Sequence, residues 1–283
     1  MKYKTRTRIA AALFILPSFL GILIFYIIPY IICFLNSMYS GGDFTGVANY
    51  AELLENNAFW LAMKNTAVFM GVGITLLLVI SFLLALFLNS FRKISAFFRS
   101  ALLIPVIVPS ASLICVWQLF FEDNGVINGI LNSLGMDSVK FFSGGFSVVM
   151  IIFIYIWKNC GFCVILFTAG LANIPEQYYE SARLDGASKL KTVTRISMPL
   201  ITPTAFFAFL MAVIYSFKIF REVFVLFGDY PDENVYFLQN FINNNFKSLN
   251  FAHLSSASIV FSVFLILLLL LFFIFERKRN FLE

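Results

Sequence analysis

Charged side chains are scarce in this chain. Asp, Glu, Lys and Arg make up 12% of its 283 residues, where an ordinary soluble domain carries roughly 25%. Hydrophobic residues reach 60% and mean hydropathy is +0.89, which leaves too little polar surface to clothe a water-soluble globule. Histidine occurs once, at His253, so a His-Glu-x-x-His metal site is excluded, and no Gly-x-Ser-x-Gly nucleophile elbow is present. Cys33, Cys115, Cys160 and Cys163 all lie in apolar stretches, where neither a disulfide framework nor a zinc site is expected. Cys160-Gly-Phe-Cys163 has the spacing of a redox motif without the soluble βαβ setting that gives it meaning. The Gly-x-x-x-x-Gly-Lys-[Ser/Thr] loop is also missing, so nothing in this chain is built to hydrolyse ATP.

What the chain does have is uncharged runs of about 20 residues or more, the length that crosses roughly 30 Å of hydrocarbon. The expected spans cover about 9–34, 66–89, 100–121, 147–169, 201–224 and 254–275, giving an all-α, polytopic membrane protein formed as one domain over 1–283. Lys2, Lys4, Arg6 and Arg8 precede the first run like the start of a signal peptide. That run is too long for a signal h-region and no small-residue cleavage site follows, so a retained span is expected.

The net charge of +5 collects at the ends of spans, which reads as topogenic charge and not as a nucleic-acid surface. The N-terminal tail, the 89–100 loop (Arg92, Lys93, Arg99), the 170–200 loop and the C-terminal tail (Arg277, Lys278, Arg279) hold 14 of the 20 basic residues. The opposite loops hold Lys64, Lys140 and Lys247 beside several acids. The positive-inside rule then puts both termini and the 170–200 loop in the cytoplasm.

That loop is the most informative segment. Asn173 is a plausible N-cap, Pro175 suits a first helical turn, and Glu176 complements the positive end of the helix dipole. Gly186 supplies a left-handed terminator. Ser188 can cap a second helix, 189–197, that Pro199 stops before the fifth span. A connection of about 30 residues exceeds what a bundle needs. It reads either as a docking element, with small residues allowing close approach, or as an amphipathic connector on the headgroups.

The sequence Glu180-Ser-Ala182, then Gly186, then Ile196-Ser-Met-Pro199 resembles the EAA motif of ABC importer permeases, with matching spacing at each step. Ser181 and Met198 stand where the motif has Ala and Leu. Phe44-Thr-Gly-Val-Ala-Asn49-Tyr50, Arg99 to Pro105, Gly125-Val-Ile-Asn128 and Trp157 through Pro175 also look like landmarks of its carbohydrate branch, the MalF, LacF and UgpA type. The resemblance implies a type I permease fold with a cytoplasmic coupling helix, in a bacterial cytoplasmic membrane. It implies a second permease subunit, two ATPase subunits carrying ATP and Mg, an external solute-binding protein and a sugar cargo, with no cofactor or metal in this chain. Coupling to the ATPase would fall on Glu180, Ser181, Ala182, Asp185, Gly186, Ala187, Ile196 and Pro199.

Lys158, Lys218, Arg221 and Glu222 fall at membrane depth, where each charge costs about 2.5–3.5 kcal/mol on insertion scales. Spacing puts Lys218 and Glu222 on one helix face, which suggests an internal ion pair. Alternatively, Gln118, Lys158, Asn159, Lys218, Arg221 and Glu222 line a polar path for sugar hydroxyls or an acidic sugar. Within the importer reading, the alternative cargo is glycerol phosphate or another polyol derivative. A secondary transporter would not need the motif's spacing, and usually shows internal repeats or mid-span coupling carboxylates.

Overall fold

The structure is a computed structural model that describes residues 13–90 and 95–280, and within these all side chains but those of residues 90, 95–97, 99 and 275–280. Lys2, Lys4, Arg6, Arg8, Arg92 and Lys93 lie outside the described residues, as do the side chains of Arg99, Arg277, Lys278 and Arg279. The described chain is almost wholly helical, and its only strands are a two-residue pair. Four helices are each long and apolar enough to cross a membrane, and two bent pairs bring the number of candidate spans to six.

The chain divides into two compact units. The first comprises residues up to Trp60 together with Phe241–Leu270. It contains α1 (Leu13–Asn36), a hairpin of β1 (Tyr39–Ser40) with β2 (Asp43–Phe44), and α2 (Ala48–Glu55). Asn49 is buried at 2% exposure and donates its amide to the carbonyls of Ser37, at 2.9 Å, and Tyr39, at 3.1 Å. Tyr50 closes the same corner through its hydroxyl, 2.5 Å from Ser37 Oγ. The Asn-Tyr pair thus fixes how the chain leaves the first span, by satisfying carbonyls that a helix end would otherwise leave open. The last helix, α13 (Phe251–Asn280), enters this unit with Asn250 ahead of its first turn. Asn250 Oδ1 accepts the His253 backbone N–H, and the His253 ring meets Glu52 at 3.2 Å.

The second unit covers Leu61–Asn240 and the chain from Leu271. It holds most of α3 (Asn57–Ser90), then α4 (Ser95–Ile107), α5 (Ser110–Phe121), α6 (Val126–Ser133) and α7 (Gly145–Ala172). The helix pair α8 (Glu176–Leu184) and α9 (Lys189–Leu200) follows, then α10 (Thr202–Lys218), α11 (Phe220–Phe227) and the first three residues of α12 (Leu238–Lys247), whose remainder belongs to the first unit. The long α7 is the centre of this unit, and two of its glycines set how closely its neighbours approach. A Cβ at Gly161 would stand 1.8 Å from the carbonyl oxygen of Leu102 on α4, and one at Gly170 would stand 2.7 Å from Thr204 Oγ1 on α10. Small residues at such crossings let helix backbones approach where no hydrophobic force between helices is available. Tyr155 adds a buried bond from its hydroxyl to the Ala212 carbonyl at 2.7 Å.

Three spans differ from the sequence expectation. The second begins at Asn57, nine residues before the expected boundary, because its polar first turns continue the helix beyond the apolar run. The third is not one straight helix over 100–121: Ser100–Ile107 meets the segment from Ser110 at 101°. Pro109 causes this, since it has no N–H to give and disfavours helical backbone in Val108. The fifth breaks at Ile219, between α10 and α11.

Candidate functional site: a capped helix pair and a mid-span ion pair

The helix pair α8–α9 is closed by local chemistry. Gly186 adopts φ +69°, and two bonds tie the turn: Gly186 N–H to Arg183 O at 3.1 Å and Ala187 N–H to Ala182 O at 2.9 Å. This is the Schellman pattern that satisfies the last carbonyls of a helix. Ser188 then caps α9, its Oγ accepting the Lys191 N–H at 3.3 Å. Asn173 is not the N-cap of α8. Its backbone is helical and ends α7, and Pro175, with ψ 135°, takes the cap position in place of the first turn. An N-cap needs non-helical backbone, and Asn173 does not have it.

Pro199 does not end α9 either. A π-helical turn, Val193–Ser197, precedes it, Met198 N–H donates to Val193 O, and the helix runs to Leu200. The wider turn accommodates a ring that would otherwise meet the carbonyl four residues back. Thr202 Oγ1 donates to the Pro199 carbonyl at 2.7 Å, after which the chain turns by 71° into α10. A turn of the same kind, Leu23–Ile27, precedes Pro29 in α1.

Glu180, Ser181, Asp185 and Gly186 are exposed, and Ala187 and Ile196 are half-buried. Ala182 is 6% exposed, so its small side chain serves packing within the chain. The two helices are joined by Tyr179 OH and Ser197 Oγ at 3.2 Å. Leu184, 89% exposed, and Leu190, 74% exposed, flank the Gly186 turn, an apolar exposure that sequence reading passed over. Water gives such leucines no reason to stand out, and a partner surface does.

The charged residues at depth form a different constellation from the expected one. Glu222 pairs with Lys158 of α7, not with Lys218. Lys158 Nζ also donates to Ser110 Oγ at 2.8 Å, at the first residue of α5. The break in the third span and the irregular residue Ile219 in the fifth therefore lie beside one point of the unbroken fourth. Lys158 is the fourteenth of the 28 residues of α7, about 20 Å from either end at 1.5 Å per residue. Glu222 is 1% exposed and lies in the first turn of α11, where the helix dipole favours a carboxylate. Its Oε2 has no hydrogen-bond partner among the described residues.

The ammonium of Lys218 instead lies 5.4 Å from the centroid of the Tyr215 ring, and both Lys218 and Arg221 are exposed. Asn159 is buried, with its amide donated to Tyr155 O in its own helix at 2.8 Å. Gln118 is half-buried on α5, eight residues and hence about 12 Å along the helix from Ser110. Ser110 escaped sequence reading, because a lone serine after Pro109 carries no signal of a partner 48 residues away.

Six candidate spans, a capped helix pair before the fifth and a buried ion pair between the fourth and fifth fit an integral membrane component. The chain belongs to the family of binding-protein-dependent transport system inner membrane components, whose model matches residues 77–279. Over 238 residues it is 31% identical to the trehalose/maltose transport system permease protein MalF of Thermococcus litoralis, covering 81% of each chain. It is 30% identical to the arabinooligosaccharides transport system permease protein AraP of Bacillus subtilis, covering 80% of this chain and 74% of the relative. Its fold matches a chain in the crystal structure of a bacterial ABC transporter involved in the import of the acidic polysaccharide alginate, with TM-score 0.86, 23% identity and 98% of each chain covered.

Proposed function

We propose that this chain is one of two permease subunits of an ATP-driven importer of a mono- or oligosaccharide. A second, homologous permease forms the other half of the pathway, two ATPase subunits bind ATP and Mg, and an extracytoplasmic solute-binding protein delivers the cargo. The observation that carries the reading is the Schellman-closed helix Glu176–Leu184, which presents Glu180, Asp185 and Gly186 beside an exposed Leu184. Closure of the ATPase pair pushes on this helix, and the short α9 passes the movement to the fifth span across the turn at Ile201. The names of both relatives support sugar as the cargo class.

Both termini and the 170–200 loop face the cytoplasm, supported by the excess of basic residues in those segments. The membrane is the bacterial cytoplasmic membrane.

Gly186→Val tests the reading. A β-branched residue strains the φ +69° backbone, yet a Cβ there meets nothing within 4 Å in this chain. The variant should reach the membrane and assemble, and lose sugar-stimulated ATPase in the reconstituted complex. Full stimulation would sink the coupling role. Uptake driven by a proton or sodium gradient without ATP would move the protein to the secondary transporters.

A further inference from the structure

The fifth span exposes a face that does not suit lipid. Ile214 and Val225 are 48% and 43% exposed, and Lys218 and Arg221 are exposed between them. Positions 214, 218, 221 and 225 recur at intervals of four, three and four, the repeat of one helix stripe, which carries through Ile219 because its backbone is helical (φ −61°, ψ −20°). Arg221 adjoins Glu222, which pairs with Lys158 halfway along α7, and Lys218 and Arg221 lie nine and six residues before the end of α11 at Phe227, about 14 and 9 Å inside it at 1.5 Å per residue. Cations at that depth turn toward protein or a water-filled passage, because hydrocarbon cannot solvate them.

No acid in these helices neutralises them. Glu222 is the only Asp or Glu in residues 145–172 and 202–227, against Lys158, Lys218 and Arg221. Its one bonded oxygen is committed to Lys158. Lys218 has the Tyr215 ring, which attracts a cation without cancelling its charge. Among the described residues, Arg221 makes no hydrogen bond or ion pair. Had Glu222 paired with Lys218, the face would carry one net positive charge. Because it pairs with Lys158, the face carries two positive charges.

We propose that Lys218 and Arg221 form an anion-selecting position on the pathway face of this permease half, so that the cargo is a carbohydrate bearing a fixed negative charge, such as a uronate carboxylate. The proposal rests on the carbohydrate-import reading and adds the charge class. A guanidinium offers a paired-donor fork that matches a carboxylate, and a nearby ammonium adds a mobile point charge. A neutral sugar would leave both cations without a counter-charge as it passed.

The test uses the complete importer in proteoliposomes, with this chain, the second permease, the ATPase subunits and the binding protein. Uptake of a labelled uronate oligosaccharide is compared with that of a neutral one of the same length. Wild type should take up the uronate at least tenfold faster. Lys218→Gln with Arg221→Gln should lower uronate uptake about tenfold or more while the complex stays intact by size-exclusion chromatography, and Arg221→Lys should keep most of it. The variants alter this chain alone, so their loss cannot originate in the binding protein.

Equal uptake of both sugars overturns the proposal, as does undiminished uronate uptake by the double Gln variant. Dissociation of the complex by that variant also overturns it, by assigning the cations to an acid of the second permease. Failure of the wild type to move either sugar would overturn the carbohydrate reading itself, a result distinct from all of these.

Discussion

Lys158 and Glu222, 64 residues apart in sequence, join where the break in the third span and the one-residue irregularity at Ile219 in the fifth meet the uninterrupted fourth. Lys158 lies mid-helix on α7, Glu222 lies three residues past Ile219 in the fifth span, and Ser110, the third partner, opens the helix after the break in the third. Helix ends exposed at membrane depth carry backbone groups with no partner in their own helix. Charged and polar side chains gathered at those ends give the breaks fixed positions. The arrangement is one-sided, since Glu222 Oε2 is buried without a partner among the described residues, so the pair holds a geometry at some cost in solvation.

Removing one member should therefore be worse than removing both. Lys158→Met or Glu222→Leu alone leaves an uncompensated buried charge and should cost about 3–5 kcal/mol. The double variant should recover most of that loss, because a well-packed apolar pair is often neutral relative to a buried ion pair. Thermal unfolding of the purified complex in detergent, read as a double-mutant cycle, measures this, and additive losses would contradict the pairing.

The crossing of α4 over α7 makes a second prediction. An alanine at Gly161 puts a Cβ 1.8 Å from the Leu102 carbonyl oxygen, and a backbone carbonyl cannot step aside as a side-chain tip can. Gly161→Ala should cost about 1–3 kcal/mol through overpacking and lower the unfolding temperature. Gly71→Ala is the control, because nothing lies within 4 Å of its Cβ. It should be neutral or stabilising by up to about 1 kcal/mol from helix propensity.

The candidate spans were legible because uncharged apolar runs leave few alternatives, and the Gly186 turn was legible because left-handed backbone has few occupants. The partner of Glu222 was not. Spacing within one helix favours Lys218, but the break at Ile219 and the packing of α7 against the fifth span bring Lys158 closer. Contacts between helices depend on crossing geometry, which no local pattern encodes. Asn173 and Pro175 show a subtler limit: both residue types suit a helix start, and only the backbone, helical at one and extended at the other, assigns the cap. The hairpin Tyr39–Phe44 was passed over because strands of two residues have no period to detect.

Asn49 holds that hairpin to the end of α1 through its two amide bonds. Asn49→Ala leaves the Ser37 and Tyr39 carbonyls short of a donor and should cost about 1–3 kcal/mol for unsatisfied buried groups. Tyr50→Phe removes a single hydroxyl and should cost about 1 kcal/mol. Limited proteolysis at the Gly41-Gly42 turn should become faster in Asn49→Ala than in Tyr50→Phe, and equal rates would remove Asn49 from its role.

The joint between α8 and α9 makes the last prediction, because it separates stability from coupling. Ser188→Ala removes the cap of α9 and should cost about 1 kcal/mol locally, seen as faster amide exchange over residues 189–192. Tyr179→Phe removes the hydroxyl that bonds Ser197 and leaves both helices capped. If α8 moves the fifth span by pushing α9 as one body, Tyr179→Phe should lower sugar-stimulated ATPase severalfold with little change in unfolding temperature. Ser188→Ala should loosen α9 and lower stimulation in proportion to that loosening. Unchanged stimulation in Tyr179→Phe would mean that the force travels through the backbone turn at Gly186 alone, and Gly186→Val would then be the only one of the three variants to uncouple transport from hydrolysis.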